Sequence, residues 1–128
     1  MYSGSGFSNW EIGDVDVFID EKGVHHLFHL IIPNHDYIAH AVSKDGLSWK
    51  RVKNALFVGD PGEWDDDMLW TMHVSKKSEG DGYEMYYTGL KRQDKGIEQK
   101  IGRAVSKDLI IWKKENDEWK ITKVISLH

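Results

Sequence analysis

The sequence IAHAVSKDGLSWKR at residues 38–51 recurs as IGRAVSKDLIIWKK at residues 101–114. The two stretches align without a gap at an offset of 63 residues, and eight of the fourteen positions are identical. Both are preceded by short runs of aromatic and β-branched residues, which are typical of strands rather than helices. The chain therefore contains two copies of one β-rich unit, and this repeat decides the fold.

Strand signals follow the same order in both copies, with turn-forming residues between them. The predicted strands of the first copy are Val15–Ile19, Val24–Ile31, Tyr37–Ser43 and Leu47–Val52, and those of the second are Leu69–Ser75, Tyr83–Thr88, Lys100–Ser106 and Ile110–Lys114. Because the connections are short, consecutive strands are expected to pair in antiparallel fashion. We expect one four-stranded sheet at about residues 10–58 and a second at about residues 66–123. Upstream of the strongest match the offset falls to 59, where Gly23 corresponds to Gly82.

A four-stranded sheet repeated at this period is the sequence signature of a β-propeller blade. The strand at residues 24–31 carries bulky side chains on both faces, as a sheet packed between two neighbouring blades requires. The Ser-Lys-Asp of each copy suits a tight turn, because Ser and Asp side chains accept hydrogen bonds from nearby backbone N–H groups. We expect Trp49 and Trp112 to cover these turns as part of the scaffold.

Composition excludes several classes of function. Among 128 residues, 17 Lys and Arg are scattered against 21 Asp and Glu, so a net charge of −4 offers no basic surface for nucleic acid. The absence of cysteine excludes a disulfide framework, a thiol nucleophile and a cysteine-based zinc site. Apolar stretches stay far below the roughly 18 residues that a membrane span needs, and no export signal is visible. We therefore expect no nucleic acid or membrane partner, and a cytoplasmic location is favoured.

The clusters that could hold a metal have simpler interpretations. On a strand, His26 points away from His25 and His29, and the latter two stand roughly 13 Å apart at about 3.4 Å per residue. Three aspartates at residues 65–67 are expected to form a solvated loop, since no regular oxygen-ligand loop follows. Asp-Pro-Gly at residues 60–62 is expected to be a turn. We expect no metal and no cofactor.

At these residues the chain resembles the five-bladed β-propeller glycoside hydrolases of families 43 and 32 and their relatives 62 and 68. A blade of that superfamily often ends in the pattern Ala-x-Ser-x-Asp-x-x-x-Trp, which is met at Ala41, Ser43, Asp45 and Trp49 and again at Ala104, Ser106, Asp108 and Trp112. Its pattern Gly-x-Tyr-x-Leu-Tyr-Tyr-Thr-Gly is approximated by GYEMYYTG at residues 82–89. The resemblance covers about residues 10–114 and implies a glycosidase-like propeller that acts on or binds a carbohydrate.

The resemblance also implies a catalytic residue. In this family an Asp opens the innermost strand of the first blade, about nine residues before the Gly of the next strand, and counting back from Gly23 gives Asp14. Val15 stands where the family usually has Pro. Asp16 is the competing candidate, because it lies two residues further on and so on the same strand face.

The second innermost strand resembles the Trp-Ser/Thr-Gly segment of families 32 and 68, so Trp70, Thr71 and His73 are candidates to line a sugar pocket with Asp16. The family needs two further carboxylates, an Asp that fixes the sugar and a Glu that acts as general acid, and both belong to later blades. Asp14 is then half of a catalytic pair, as the base in inverting families 43 and 62 or as the nucleophile in retaining families 32 and 68. The resemblance implies an incomplete catalytic domain that belongs to a longer chain. The alternative is a non-catalytic module that binds carbohydrate or assembles into a homo-oligomer.

Overall fold

The computed structural model describes residues 11–95 and 97–115 and, at Glu11, the backbone alone. Its strands in chain order are β1 (Glu11–Ile19), β2 (His25–Ile32), β3 (Tyr37–Ser43), β4 (Lys50–Arg51), β5 (Leu56–Phe57), β6 (Met68–Lys76), β7 (Tyr83–Leu90), β8 (Gln99–Ser106) and β9 (Lys113–Lys114). A short 3-10 helix, Arg92–Asp94, lies between β7 and β8. In this part of the chain no helix is long and apolar enough to cross a membrane.

The strands form two antiparallel sheets, in the orders β1-β2-β3-β4 and β6-β7-β8-β9. The all-β fold of two propeller blades is therefore confirmed. Two details differ from expectation: β5 adds a short fifth strand to the first sheet by pairing with β3, and the outermost strands β4 and β9 are only two residues long. The outer strands are short because the preceding residues belong to the turns. The expected blade limits, 10–58 and 66–123, reach beyond the described residues and stay a prediction.

The turns that end the third strand of each sheet are alike. In the first copy the hydroxyl of Ser43 accepts two backbone N–H bonds and the carboxylate of Asp45 accepts two more, at 2.8–3.3 Å. Ser106 and Asp108 make the same four bonds in the second copy, at 2.9–3.3 Å. Backbone N–H groups that point at the carboxylate lower the pKa of Asp45 to about 2. The turn chemistry predicted from the repeat is confirmed.

The repeated tryptophans pack beside these turns. The indole N–H of Trp112 donates to the carbonyl of Leu109 at 3.0 Å, and the ring meets Phe28 of the first sheet edge-on at 5.7 Å. Trp49 is half-buried and meets His25 edge-on at 6.4 Å. The scaffold role predicted for Trp112 is confirmed, because its ring belongs to the core between the sheets.

The expected offset of 59 for the second strands is wrong. Leu27 pairs with Ala41 in the first sheet, and Met85 pairs with Ala104 in the second. Since Ala41 and Ala104 are the aligned alanines of the repeat, Leu27 is equivalent to Met85, at an offset of 58. The connection between β6 and β7 is one residue longer than that between β1 and β2, and the matched glycine lies one residue nearer to the following strand in the second copy. The correction matters because a shift of one residue moves every side chain of a strand to the opposite face.

A hydrophobic core fills the space between the two sheets. Its buried members include Phe28, Leu30 and Ile38 from the first sheet and Leu69, Met72, Val74, Met85 and Tyr87 from the second. Burial of a side chain of this size contributes about 1.5–3 kcal/mol. Strand β2 is buried along both faces, as predicted for a strand inside a blade.

The expectation of a solvated loop at residues 65–67 is wrong for its first residue. Asp65 is completely buried; it accepts a hydrogen bond from the hydroxyl of Tyr87 at 3.1 Å and pairs with the ammonium of Lys114 at 2.8 Å. Lys114 also donates to the carbonyl of Phe57 in the first sheet. Burial, and then the charge of Asp65, raise the pKa of Tyr87. This ion pair therefore ties the connection between the sheets to both of them.

Trp64 lies across the backbones of two neighbouring strands. A Cβ on Gly89 or Gly102 would come within 2.4 Å or 2.6 Å of its ring, so only glycine leaves room for the indole. Earlier in the same connection, the N–H of Glu63 donates to the carbonyl of Asp60 at 2.9 Å, which confirms the predicted turn.

The histidines of β2 and β3 form a buried chain of hydrogen bonds. Nε2 of His26 lies 2.9 Å from a carboxylate oxygen of Asp20, and Nδ1 of His26 lies 2.9 Å from Nε2 of His40. His40 is fully buried and stacks on Phe28 at 4.2 Å. Burial first, and then the charge of His26, lower the pKa of His40 to about 3.

We expect the free energy of unfolding to fall as the pH drops from about 6.5 towards 3. His40 takes up a proton readily in the unfolded chain but resists it in the folded one, so acid favours unfolding. Each such histidine adds a slope of up to about 1.4 kcal/mol per pH unit inside that window. Urea unfolding of the wild type and of His40→Gln, measured from pH 7.5 to pH 4.5, checks this. Equal slopes in the two proteins would contradict the assignment to His40.

Candidate functional site

The innermost strands β1 and β6 lie side by side although they belong to different sheets. Oδ2 of Asp16 accepts the backbone N–H of Val74 at 2.8 Å, and Oδ1 lies 3.4 Å from Nδ1 of His73. Further along, the rings of Phe18 and Tyr83 meet edge-on at 5.5 Å. Side chains of β1 therefore satisfy groups of β6 that no sheet partner satisfies, and this contact is called the seam below.

Both inner strands carry a β-bulge near their N-terminal ends, at one end of the seam. The pairing register of β1 shifts beside Asp14, and that of β6 shifts at Thr71. The hydroxyl of Thr71 donates to Oδ2 of Asp14 at 2.8 Å, so the two irregularities face each other. Bulges redirect side chains and are frequent next to active sites. Here they bring an exposed carboxylate and an exposed hydroxyl together at the rim of both sheets.

A cleft of about 280 Å³ opens beside this pair. Its lining residues are Gly13, Asp14, Leu30, Ile32, His35, Trp70 and Thr71. Of the five predicted site residues, Asp14, Trp70 and Thr71 line the cleft together. Asp16 and His73 lie further along the seam and do not line the cleft.

A family model for the "Glycosyl hydrolases family 32 N-terminal domain" matches residues 7–125. The chain belongs to this family. Among curated proteins, none matches the chain significantly.

Solved structures of glycoside hydrolases resemble this family 32 domain in fold. A family 117 glycoside hydrolase from the marine bacterium Zobellia galactanivorans matches with a TM-score of 0.74 and 13% identity, over 91% of this chain and 42% of its own. Fructan 1-exohydrolase IIa from Cichorium intybus matches with a TM-score of 0.65 and 22% identity, over 82% of this chain and 20% of its own. The β-fructofuranosidase of Schwanniomyces occidentalis matches with a TM-score of 0.68 and 16% identity, over 89% of this chain and 25% of its own. The chain thus spans less than half the length of each of these structures, and its two sheets correspond to propeller blades.

The two aspartates of β1 have different surroundings in the family 32 domain. Asp14 is exposed and accepts a hydrogen bond from the exposed hydroxyl of Thr71. The side chain of Asp16 is only 20% exposed and accepts the backbone N–H of Val74, a residue that is 3% exposed. The geometry separates a carboxylate that a ligand can reach from one that is engaged by the backbone of the neighbouring sheet.

Sequence reasoning missed four residues of the cleft, namely Gly13, Leu30, Ile32 and His35. The sequence predicts Leu30 only as part of the strand Val24–Ile31 and indicates no site role for Gly13 or Ile32. His35 was assigned only to a turn, and its left-handed backbone, with φ of 56°, depends on hydrogen bonds to both sheets that no local pattern reveals.

We expect Asp16→Ala to lower the free energy of unfolding by about 1–3 kcal/mol, because it leaves the buried N–H of Val74 without an acceptor. Asp14→Ala should change it by less than about 0.5 kcal/mol, since both Asp14 and its partner Thr71 reach solvent. Urea unfolding at pH 7 compares the two variants. Equal losses would show that Asp14 is also a structural residue.

Proposed function

We propose that the chain supplies one side of the active site of a family 32-type glycoside hydrolase, with Asp14 as the carboxylate that acts on the sugar. The single observation that carries the proposal is the meeting of two bulged inner strands at an exposed Asp14–Thr71 pair beside a cleft. Trp70 offers the cleft an aromatic face, on which the C–H face of a sugar ring can pack. Asp16 and His73 act through the seam and hold β1 and β6 in register.

The chemistry of glycosidic cleavage requires a second carboxyl group. One carboxyl protonates the leaving oxygen, while the other activates water or attacks the anomeric carbon. Among the described residues that line the cleft, Asp14 is the sole carboxylate. The proton donor is therefore expected from a residue other than these lining residues, and Asp14 serves as base in an inverting reaction or as nucleophile in a retaining one. The same observation favours a second candidate function, a module that binds carbohydrate without cleaving it.

We also infer that a further sheet covers the face of β1 that points away from β6. Through the corrected register, Val15 and Val17 are equivalent to Met72 and Val74. Met72 and Val74 are 4% and 3% exposed because the first sheet covers them, whereas Val15 and Val17 are 56% and 50% exposed. An exposed stripe of this kind on a protein surface marks an interaction site. Its expected partner is either the remainder of a propeller or a second copy of this chain.

We expect the chain alone to hydrolyse no aryl arabinoside, aryl xyloside or sucrose above the rate in buffer. One carboxylate without a proton donor gives little catalysis. Turnover that Asp14→Asn abolishes, and that Asp16→Asn retains, would mean that the chain holds its own acid and would contradict the one-sided site.

We expect sugars to bind weakly at the cleft despite the absence of turnover. Titration of the labelled chain with fructose, arabinose and xylose, followed by nuclear magnetic resonance, should shift the signals of Asp14, Trp70 and Thr71. The amide signals of the outer strands β4 and β9 are the internal control. No sugar-dependent shift at the cleft with any of the three sugars would contradict the proposed function.

We expect the purified chain at micromolar concentration either to assemble or to be only marginally stable as a monomer. Two sheets leave an apolar face in water, and repeat folds generally need about three units to bury such faces. Analytical ultracentrifugation with thermal unfolding distinguishes the cases, and a trimer would give a closed ring of six blades. A stable, cooperatively unfolding monomer would contradict the inference that a further sheet covers the exposed face of β1.

A further inference from the structure

The cleft beside Asp14 has mostly apolar walls. Its apolar lining residues are Leu30 and Ile32 of β2 and Trp70 of β6. Its polar side chains are Asp14 and Thr71, which bond each other, and His35. A sugar could therefore pack its C–H face on the walls, but few side chains remain to bond its hydroxyl groups.

His35 is held at the junction of the two sheets. Its N–H donates to the carbonyl of Ile31 in the first sheet at 2.8 Å, and its carbonyl accepts the N–H of Leu69 in the second at 2.8 Å. These bonds fix a left-handed backbone with φ of 56°. Glycine adopts such a conformation without strain, whereas histidine is strained in it although it is more frequent there than most residues, and backbone strain concentrates at functional sites.

The imidazole of His35 contributes little to the fold. Nδ1 is buried and has no hydrogen-bond partner among the described residues, and the ring lies 6.3 Å from that of Trp70, measured between centroids. Nε1 of Trp70 is likewise buried without a partner in this part of the chain. Glycine would relieve the backbone strain at this position and would remove the unpaired nitrogen. Folding therefore does not explain why a histidine stands here.

We propose that His35 contacts the sugar bound beside Asp14 and determines which sugar the cleft accepts. Its imidazole bonds one hydroxyl through Nε2, since Nδ1 is buried, and the C–H face of the same ring lies on Ile32 and Trp70. The inference rests on the proposed function, because it takes a carbohydrate as the occupant of the cleft. A site that bonds a particular hydroxyl discriminates strongly against analogues that lack it, since the polar group of the site is then left unpaired.

The test deletes the imidazole without straining the backbone. His35→Gly removes the side chain and suits the positive φ. Lys95→Gly is the matched control, because Lys95 has the same left-handed backbone, with φ of 57°, and is exposed at the end of the 3-10 helix outside the cleft. His35→Asn is the conservative variant, since asparagine tolerates this conformation and keeps a hydrogen-bonding group.

Binding of fructose and of its monodeoxy analogues is measured by nuclear magnetic resonance titration of the four proteins. The expected result is a loss of about tenfold or more for His35→Gly, equivalent to about 1.4 kcal/mol. Lys95→Gly should bind like the wild type, and His35→Asn should recover part of the affinity. One deoxy analogue should bind the wild type weakly, yet lose nothing further in His35→Gly, as coupled partners do.

Each other result is decisive. Equal fructose affinity in the wild type and in His35→Gly would overturn the role of His35 and leave the proposed function standing. An equal loss in Lys95→Gly would overturn it too, because the effect would then come from the backbone change. Absence of fructose binding by the wild type, together with the arabinose and xylose titrations, would overturn the proposed function and this inference with it.

Discussion

The hydrogen bond from the backbone of Val74 to the carboxylate of Asp16 sets how the two sheets meet. β1 and β6 are edge strands of two separate sheets, and no ladder of backbone bonds joins their described residues. A buried N–H without an acceptor would cost about 1–3 kcal/mol, and one side chain of β1 removes that cost. The bond also fixes the position of β1 along β6. Asp14, two residues earlier, is thereby placed opposite Thr71.

The bulges convert this register into a site. In an undisturbed strand, Asp14 and Asp16 would share one face and point along the same seam. The extra residue beside Asp14 changes that alternation, and the bulge at Thr71 changes it at the equivalent place on the second sheet. The result is one aspartate engaged by a backbone amide and one that faces solvent at the rim. The same irregularity leaves room for the cleft between Leu30 and Trp70.

A structural feature could be predicted from the sequence when the residues that cause it lie close together in the chain. The turn of Ser43 and Asp45 was predictable, because side chain and backbone partners lie within three residues of each other. The meeting of Asp14 with Thr71 followed from a family resemblance, since 57 residues separate them. Bulges, the buried pairing of Asp65 and the backbone of His35 were not predictable, because each depends on packing between the sheets. The offset of 59 failed for a related reason: a matched glycine marks a turn, whereas only strand pairing fixes which face a side chain occupies.

Function arises in this molecule where the two copies differ. In the register set by the pairing of β1 and β6 with their neighbours, Asp14 is equivalent to Thr71 and Asp16 to His73. Each pair is also in contact across the seam, so equivalent positions of one repeat carry an acceptor in the first sheet and a donor in the second. Aspartate in both copies would bring two carboxylates into contact, and like charges in contact repel. A hydroxyl at Thr71 instead donates to Asp14 and orients it. The repeat therefore supplies the scaffold. Because the second copy has hydrogen-bond donors, Thr71 and His73, where the first has aspartates, the junction of two similar sheets is an asymmetric site.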